Sequence, residues 1–309
     1  MDGHSLKRKL REILQESSTS TFINDRDSYD YIYAAALEFV QRTRCITASQ
    51  SITTVASQTN YALSADFMDL YLTDNRNRRY IKYNDGTNDT FIYERDRSGV
   101  VFANNTTAVS IPDNFYIRDV QTLTARLTGT ATSNGAISNN ETTLTDTAAD
   151  FTNVSVGDEI HNTTDDSHGI VLVKTSTTAL VTALFDGTDN DWDTSDAYLI
   201  VPQSRLELVL DPPPSTASHT ITVNYIQRPE PVYSSYRNYR IKPEYDLAII
   251  FYAAWLYKYR DREPSYGDAF YKYFDDKVRK AGNVINSTLN RRDFPVNMIK
   301  RASRDGSVK

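Results

Sequence analysis

The segment DGTDNDWDTSD carries acidic side chains at a spacing that could bind a cation. Asp189, Asp191 and Asp193 match the first three ligand positions of a calcium loop. Thr194, however, stands where this loop requires glycine, and an isoleucine stands where a bidentate glutamate should complete the site. We therefore predict a polar hairpin turn here, with Trp192 packed against the neighbouring strands, and no metal site.

The other side chains that could do chemistry are sparse. The histidines are His4, His161, His168 and His219. They are too few and too scattered to indicate a metal or acid–base site. Cys45 is the single cysteine, which excludes an internal disulfide, and we predict a small, buried apolar role for it. Because the chain also has no phosphate-binding loop, zinc-protease motif or nucleophile elbow, we predict that it is not an enzyme and holds no cofactor.

Both ends of the chain have the apolar spacing of helices, and the middle has short alternating runs typical of strands. We predict an α+β fold in which a helical layer from both chain ends packs on an antiparallel β core, with an inserted small all-β barrel or sandwich module. The predicted segments are 1–121 (helices, then strands), 122–203 (the inserted acidic β module), 204–290 (strands, then helices) and 291–309 (a basic docking tail).

Charge is distributed unevenly between the predicted insert and the rest of the chain. Between Thr122 and Gln203 there are twelve acidic and two basic residues, so the remainder has a net charge of +4 although the whole chain carries -6. An acidic surface keeps a module soluble and discourages contact with DNA or an anionic membrane. Since no run of about 18 apolar residues occurs, we also predict no transmembrane helix.

Two sets of residues are candidates for contacts with other proteins. The C-terminal segment is basic and contains large apolar side chains, which favours a docking peptide over a purely solvated tail. The docking candidates are Arg291, Arg292, Phe294, Pro295, Val296, Met298, Ile299, Lys300 and Arg301. Tyrosine is also unusually frequent, with 21 residues against 12 phenylalanines, and its clusters either fill the core or face neighbouring copies. The subunit-interface candidates are Tyr29, Tyr33, Tyr257, Tyr266, Phe270 and Tyr273.

Several stretches of the chain resemble one protein family. The helical stretch SYDYIYAAALEFVQRT leads into TTVASQTNYALSADFMDL, in which Ser64 replaces a proline that is usual in the family. The later stretches VNYIQRPEPV and IKPEYDLAIIFYAAWLYKYRDREPSYGDAFYKYFDDKV look like the family's closing strand, a helix that opens with Pro-x-Glu, and a long last helix. Over roughly Ser5–Ile117 and Arg205–Ile285, the sequence resembles the head-to-tail adaptor (connector or neck) proteins of tailed bacteriophages.

The resemblance implies a structural virion protein without enzymatic activity. Adaptors of this family form a homo-oligomeric ring, usually dodecameric, between the portal protein and the tail tube, nozzle or other neck proteins. Packaged DNA passes through the ring without sequence-specific binding. The protein would then be assembled in the host cytoplasm and lie at the head–tail junction of the virion, with no membrane partner. Portal docking by the family's C-terminal segment maps onto Arg291–Lys309, and the insert would lie outside the ring.

A second hypothesis is a carbohydrate- or receptor-binding tail protein that uses the inserted β module. Glycan sites usually stack sugars on exposed aromatic rings, and the large aromatic residues of the insert are Phe151, Phe185, Trp192 and Tyr198. These rings would also suffice to fill the core of the insert. A glycan-array signal that Trp192→Ala abolishes would favour this hypothesis.

Overall fold

The structure, a computed structural model, describes residues 1–16, 23–71, 73, 78–95, 107–119, 126–202, 205–260 and 264–293. The described helices are α1 (Gly3–Leu14), α2 (Asp25–Thr43), α3 (Asp246–Arg260) and α4 (Pro264–Asp293). Helix α1 begins where the Asp2 carboxylate accepts the Ser5 N–H, and α2 begins where the Asn24 side chain accepts the Asp27 N–H. These caps satisfy amides that a helix start leaves unpaired. Within the described residues, no helix combines the length and the apolar character needed to cross a membrane.

The described strands lie between α2 and α3. They are β1 (Thr47–Thr53), β2 (Asn60–Ala62), β3 (Phe67–Leu70), β4 (Tyr80–Asn84), β5 (Asp89–Glu94), β6 (Asn114–Asp119), β7 (Leu127–Thr130), β8 (Thr142–Thr145), β9 (Glu159–Asn162), β10 (Ser167–Lys174), β11 (Ala179–Phe185), β12 (Ala197–Val201), β13 (Leu206–Asp211) and β14 (Thr220–Gln227). Eight of them form one sheet in the order β1-β14-β4-β5-β6-β13-β2, with β3 paired to β14. The other six form a second sheet in the order β7-β12-β9-β10-β11-β8.

The chain leaves the eight-stranded sheet from β6 and returns to it in β13. These two strands are antiparallel neighbours, with Leu206 opposite Asp119. The six-stranded sheet is built from the residues between them, and its two edge strands approach each other where the Thr132 N–H donates to the Thr145 carbonyl oxygen at 2.7 Å. A segment that leaves and re-enters between paired strands disturbs the host sheet little.

Separate buried clusters fill the helical bundle and the two sheets. Helices from both chain ends share one cluster, which includes Leu6, Phe39, Ile250 and Phe274. The eight-stranded sheet surrounds a second cluster, and the six-stranded sheet surrounds a third that includes Trp192. Each part of the described structure therefore buries its own apolar residues.

The predicted fold class is wrong. The described chain is mainly β, with two curled sheets of eight and six strands and four helices. The eight-stranded sheet is not wholly antiparallel, because β5 and β6 pair in parallel. The helices do not form a layer across this sheet, because the sheet curls around its own core and the helices bury most of their apolar side chains against one another. Short strands with polar outward faces give a weaker apolar signal than helical stripes, so the sequence underestimates the β content.

Candidate functional site: two exposed aromatic patches

Helix α3 carries apolar side chains on two of its sides. Its buried apolar residues are Ala248, Ile249, Ile250, Ala253, Ala254 and Tyr257. On the outer side, Leu247, Phe251, Trp255 and Tyr259 recur at every fourth residue, a spacing that brings side chains together on a helix surface. Leu247 is 47% exposed and Tyr259 is 66% exposed, whereas Phe251 and Trp255 are half-buried. We call these four outer residues the α3 stripe.

Two rings of α4 widen the α3 stripe. Phe251 stacks on Phe270 with 6.0 Å between ring centroids, and on Tyr273 with 5.1 Å. Phe270 is half-buried, and Tyr273 is 59% exposed. Grouped exposed apolar side chains of this kind are typical of surfaces that contact other molecules, which makes the α3 stripe a candidate site.

A second aromatic patch lies on the eight-stranded sheet. Phe91 of β5 is 53% exposed and packs edge-on against Tyr80 of β4, with 5.1 Å between centroids. Tyr93 lies on the same face of β5, 6.2 Å from Tyr80, and the Arg78 guanidinium lies 4.1 Å from the centre of its ring. We call Tyr80, Phe91 and Tyr93 the sheet patch. Its guanidinium neighbour and its position on a sheet make it different in chemistry and in backbone structure from the α3 stripe.

The predicted subunit-interface residues differ in their exposure to solvent. Tyr29 is 1% exposed and Tyr257 is 2% exposed, so both are buried within one chain and offer no surface to a neighbouring copy. Phe270 and Tyr273 border the α3 stripe, as described above. Tyr33 is half-buried and packs against residues of the six-stranded sheet.

The remaining predicted residues cannot be placed by their side chains. Tyr266, Arg291 and Arg292 belong to α4, but their side chains lie outside the described part of the chain. The other docking candidates lie wholly outside the described residues: Phe294, Pro295, Val296, Met298, Ile299, Lys300 and Arg301. Their docking role stays a prediction.

An aromatic cluster joins α2 to the six-stranded sheet. Tyr29 lies 6.1 Å from Phe185 of β11 and 5.6 Å from Tyr233, between ring centroids, and Tyr33 lies 6.2 Å from Tyr233. We call these four residues the seam. The Tyr233 hydroxyl donates to the Asp30 carboxylate of α2 at 2.5 Å, so a directional hydrogen bond accompanies the ring contacts.

Ion pairs flank the seam. Arg26 of α2 lies 3.5 Å from Asp186, which follows β11. Arg237 donates two hydrogen bonds to the Glu141 carboxylate, at 2.8 and 2.9 Å, and this bidentate geometry is the stronger kind of pair. The buried rings and the Arg26–Asp186 pair hold the six-stranded sheet on α2, and the Arg237–Glu141 pair holds it on the segment that follows β14.

Raising the pH above 10 should weaken the seam. Burial raises the pKa of Tyr29 from 10.0 to about 12, and burial also raises the pKa of Tyr33 and of Tyr233. Between pH 10 and about 12 the unfolded chain loses the Tyr29 proton while the folded chain keeps it. The contribution of Tyr29 to the free energy of unfolding is therefore present below pH 10 and falls by about 3 kcal/mol as the pH rises through the folded pKa.

The Tyr29→Phe variant tests this expectation. Its melting temperature should fall less between neutral and alkaline pH than that of the wild type, because phenylalanine has no proton to lose. Tyr236→Phe is the matched control, since Tyr236 is 63% exposed and should leave the alkaline profile unchanged. Equal alkaline losses in Tyr29→Phe and in the wild type would contradict the prediction.

The acidic segment of the insert buries Trp192 as predicted, but it is not a hairpin turn, because the strands on either side of it, β11 and β12, pair with other strands. Trp192 is fully buried, and its indole N–H donates to the Thr182 hydroxyl at 2.9 Å. Partial burial and the nearby carboxylates of Asp189 and Asp193 raise the pKa of Asp191.

The four aromatic residues of the insert that could have formed a sugar-binding surface are each at most 8% exposed: Phe151, Phe185, Trp192 and Tyr198. They fill the interior and cannot stack on a ligand.

Cys45 is half-buried and packs against the helical core. Burial raises the pKa of its thiol, which disfavours the thiolate that a nucleophile needs. These surroundings fit a structural role for this cysteine better than a chemical one.

Two groups of neighbouring side chains were not predicted from the sequence: a pair of histidines and the sheet patch. The histidines are not all scattered in space, because the β9–β10 hairpin places His161 directly opposite His168. The available signal was the string HNTTDDSH, in which two histidines flank a run of turn-forming residues. The sheet patch was missed because strand alternation shows that Phe91 and Tyr93 share a face but does not show whether that face is covered.

No protein-family model and no curated protein matches the chain. The function must therefore be inferred from the surfaces of the described residues and from the resemblance of the sequence. Among those surfaces, the α3 stripe and the sheet patch combine several rings with large exposed area.

Proposed function

We propose that the protein is a structural virion protein that forms a dodecameric ring between the portal and the tail of a bacteriophage. The choice of this function rests on the resemblance of the sequence to the head-to-tail adaptor proteins. The observation that carries the proposal is the α3 stripe, an outward apolar surface on a helix whose other side already fills the helical core. A surface of this kind is expected where a soluble chain binds another protein. The partners would be further copies, the portal, and the tail tube, nozzle or other neck proteins.

A ring needs two different surfaces on each subunit, because each subunit presents one surface and receives the other. The α3 stripe and the sheet patch lie on different elements and are both exposed and aromatic. We therefore pair the α3 stripe of one subunit with the sheet patch of the next. Tryptophan, tyrosine and arginine are enriched in the cores of protein interfaces, and Trp255, Tyr80 and Arg78 supply these residue types here.

The charge distribution is compatible with a channel that lets DNA slide. The chain outside the insert carries a net charge of only +4, and several of its arginines pair with acids. The Arg79–Asp69 and Arg260–Asp27 pairs, at 2.8 and 2.7 Å, are examples. Paired bases release fewer counterions on contact with phosphates, so non-specific DNA binding should be weak. The acidic insert would be repelled by DNA and would lie on the outside of the ring.

Assembly on a portal tests the proposal. The purified chain would be mixed with the portal protein encoded in the same genome and examined by native mass spectrometry and negative-stain microscopy. We expect a ring complex that contains several copies of the chain for each portal ring. Persistent monomer with no portal binding would reject the adaptor function.

Deletion of Arg291–Lys309 should abolish attachment to the portal while leaving the fold intact. The buried α4 residues that complete the helical core, Phe274, Val278 and Ala281, all precede the deleted segment. The truncated chain should therefore keep its circular dichroism spectrum and its melting temperature. Portal binding would be measured by co-sedimentation with portal rings. Normal attachment of the truncated chain would refute the docking role of the tail without affecting the proposed contact between subunits.

A further inference from the structure

Two histidines and one aspartate meet at the end of the β9–β10 hairpin. The rings of His161 and His168 stack with 3.8 Å between centroids and 10° between their planes. Asp166, in the loop between the two strands, places its Oδ1 atom 3.1 Å from His161 Nε2 and 3.7 Å from His168 Nε2. The three potential ligand atoms all lie within 4.8 Å of one another.

The loop that carries Asp166 is held in place before any ion arrives. The Asn162 side-chain oxygen accepts the N–H groups of Thr164 and Asp165, at 3.0 and 3.3 Å. The Asn162 amide group in turn donates to the buried Asp196 carboxylate at 3.0 Å. Asp166 adopts a left-handed φ of 56°, a conformation that aspartate tolerates better than most residues. An ion would therefore not have to order this loop.

We propose that His161, Asp166 and His168 bind a divalent zinc ion. Imidazole nitrogens and carboxylate oxygens are zinc ligands, and ligands about 2.0–2.1 Å from a tetrahedral ion lie about 3.3 Å from one another. The separations of 3.1 and 3.7 Å between Asp166 and the two imidazole nitrogens bracket this value. The parallel rings must open into a wedge so that both nitrogens point at the ion. His161 and His168 are partly exposed, so this rotation needs no movement of the core.

The site would supply three protein ligands and leave one position open. In zinc proteins such a position is occupied by water or by a group from another molecule. The ion would also cross-link β9 to β10 at the end of the hairpin, which adds the binding energy of the ion to the stability of the folded insert.

Titration of the full-length chain with zinc tests the proposal. After removal of bound metal with a chelator, calorimetry should show one zinc ion for each chain, and cobalt substituted at the site should give a visible absorption band. His161→Asn and His168→Asn should each weaken zinc binding by at least about tenfold. Asp166→Asn, which keeps a residue that tolerates the left-handed φ, should have a smaller effect in the same direction. His4→Asn is the matched control, since His4 is an exposed histidine of α1.

The melting temperature shows whether a variant has lost only its zinc ligands or has also lost stability. Without metal, the variants should melt at the temperature of the wild type, and zinc should raise the melting temperature of the wild type and of His4→Asn only. Unchanged zinc affinity in the double variant His161→Asn/His168→Asn would overturn the assignment. The absence of any zinc binding by the wild type would also overturn it, and would leave the three residues as a hydrogen-bonded surface group.

Discussion

An equimolar mixture of the Tyr259→Glu and Phe91→Glu variants should assemble no further than a dimer. Each variant blocks one of the two proposed contact surfaces, so each alone should remain monomeric. In the mixture, the intact α3 stripe of Phe91→Glu can bind the intact sheet patch of Tyr259→Glu, but the remaining surfaces of that dimer are both blocked. An unpaired carboxylate in a buried contact should weaken it by about 3 kcal/mol or more, which is at least about a hundredfold.

Both substitutions lie at positions where the fold should tolerate them. Tyr259 is 66% exposed and Phe91 is 53% exposed. Position 91 faces Lys82 across the β4–β5 ladder, and Lys82 already pairs with Asp89 at 2.8 Å, so a glutamate there meets no like charge directly opposite it. Tyr236→Glu is the matched control, because Tyr236 is 63% exposed and lies outside both patches. This control should assemble as the wild type does.

Mass photometry or native mass spectrometry would measure the assemblies, with portal rings present if the wild type needs them. Normal assembly by Phe91→Glu together with failure of Tyr259→Glu would show that the stripe binds something other than the sheet patch. Full rings from the mixture would contradict the arrangement of two different surfaces. Normal assembly by both single variants would remove both patches from the subunit contact.

The local elements of this fold could be predicted from the sequence because their signals are local. The alternation in Tyr80–Tyr83 and Thr90–Glu94, on either side of the Asn84-Asp85-Gly86 turn, predicts the β4–β5 hairpin that the structure contains. Gly86 adopts a φ of 93° in that turn, a conformation that favours glycine. A hairpin pairs two strands that are close in the sequence, so the local pattern of residues is sufficient to predict it.

Pairings between distant residues could not be predicted in the same way. The parallel pairing of β5 with β6 and the curling of each sheet around its own core depend on which strands meet, and strand alternation does not contain that information. Asn134-Gly135 illustrates the failure. It reads as a hairpin turn, but the strands on either side of it, β7 and β8, pair with β12 and β11, and Gly135 forms a bridge with Trp192.

The sequence predicts that the helices have more than one apolar face, but it does not identify which residues of those faces are exposed. The tyrosine-rich helices indicate more than one apolar face, and α3 does have two. Periodicity cannot tell which face of a helix a distant segment covers, however. Tyr29 and Tyr33 therefore looked available to neighbouring copies, although Phe185 and Tyr233, far away in the sequence, pack against them. The histidine pair shows the reverse case, in which a hairpin brings together residues that looked isolated.

Replacement of Trp192 by alanine should destabilise the six-stranded sheet by roughly 3–5 kcal/mol, the cost expected for removing a large buried aromatic side chain. Trp192 is fully buried, its ring meets the edge of Tyr198 with 6.3 Å between centroids, and its N–H donates to Thr182. Its carbonyl oxygen also accepts the Gly135 N–H, which ties two loops of the sheet together. The substitution would leave a cavity and would remove one of the two hydrogen-bond partners of the buried Thr182 hydroxyl, which also donates to the Thr142 carbonyl oxygen.

Trp255→Ala provides the matched control, because the chain has only two tryptophans and Trp255 is half-buried on the α3 stripe. Urea unfolding of both variants would be followed by circular dichroism, because Trp192→Ala keeps only the tryptophan of the helical bundle and has no fluorescent reporter in the six-stranded sheet. Trp255→Ala should destabilise the chain less and should weaken assembly, whereas a loss of under about 1 kcal/mol in Trp192→Ala would contradict a central packing role for Trp192. Because Trp192 has no exposed surface, a glycan signal lost in Trp192→Ala would report unfolding of the insert and not the loss of a sugar contact.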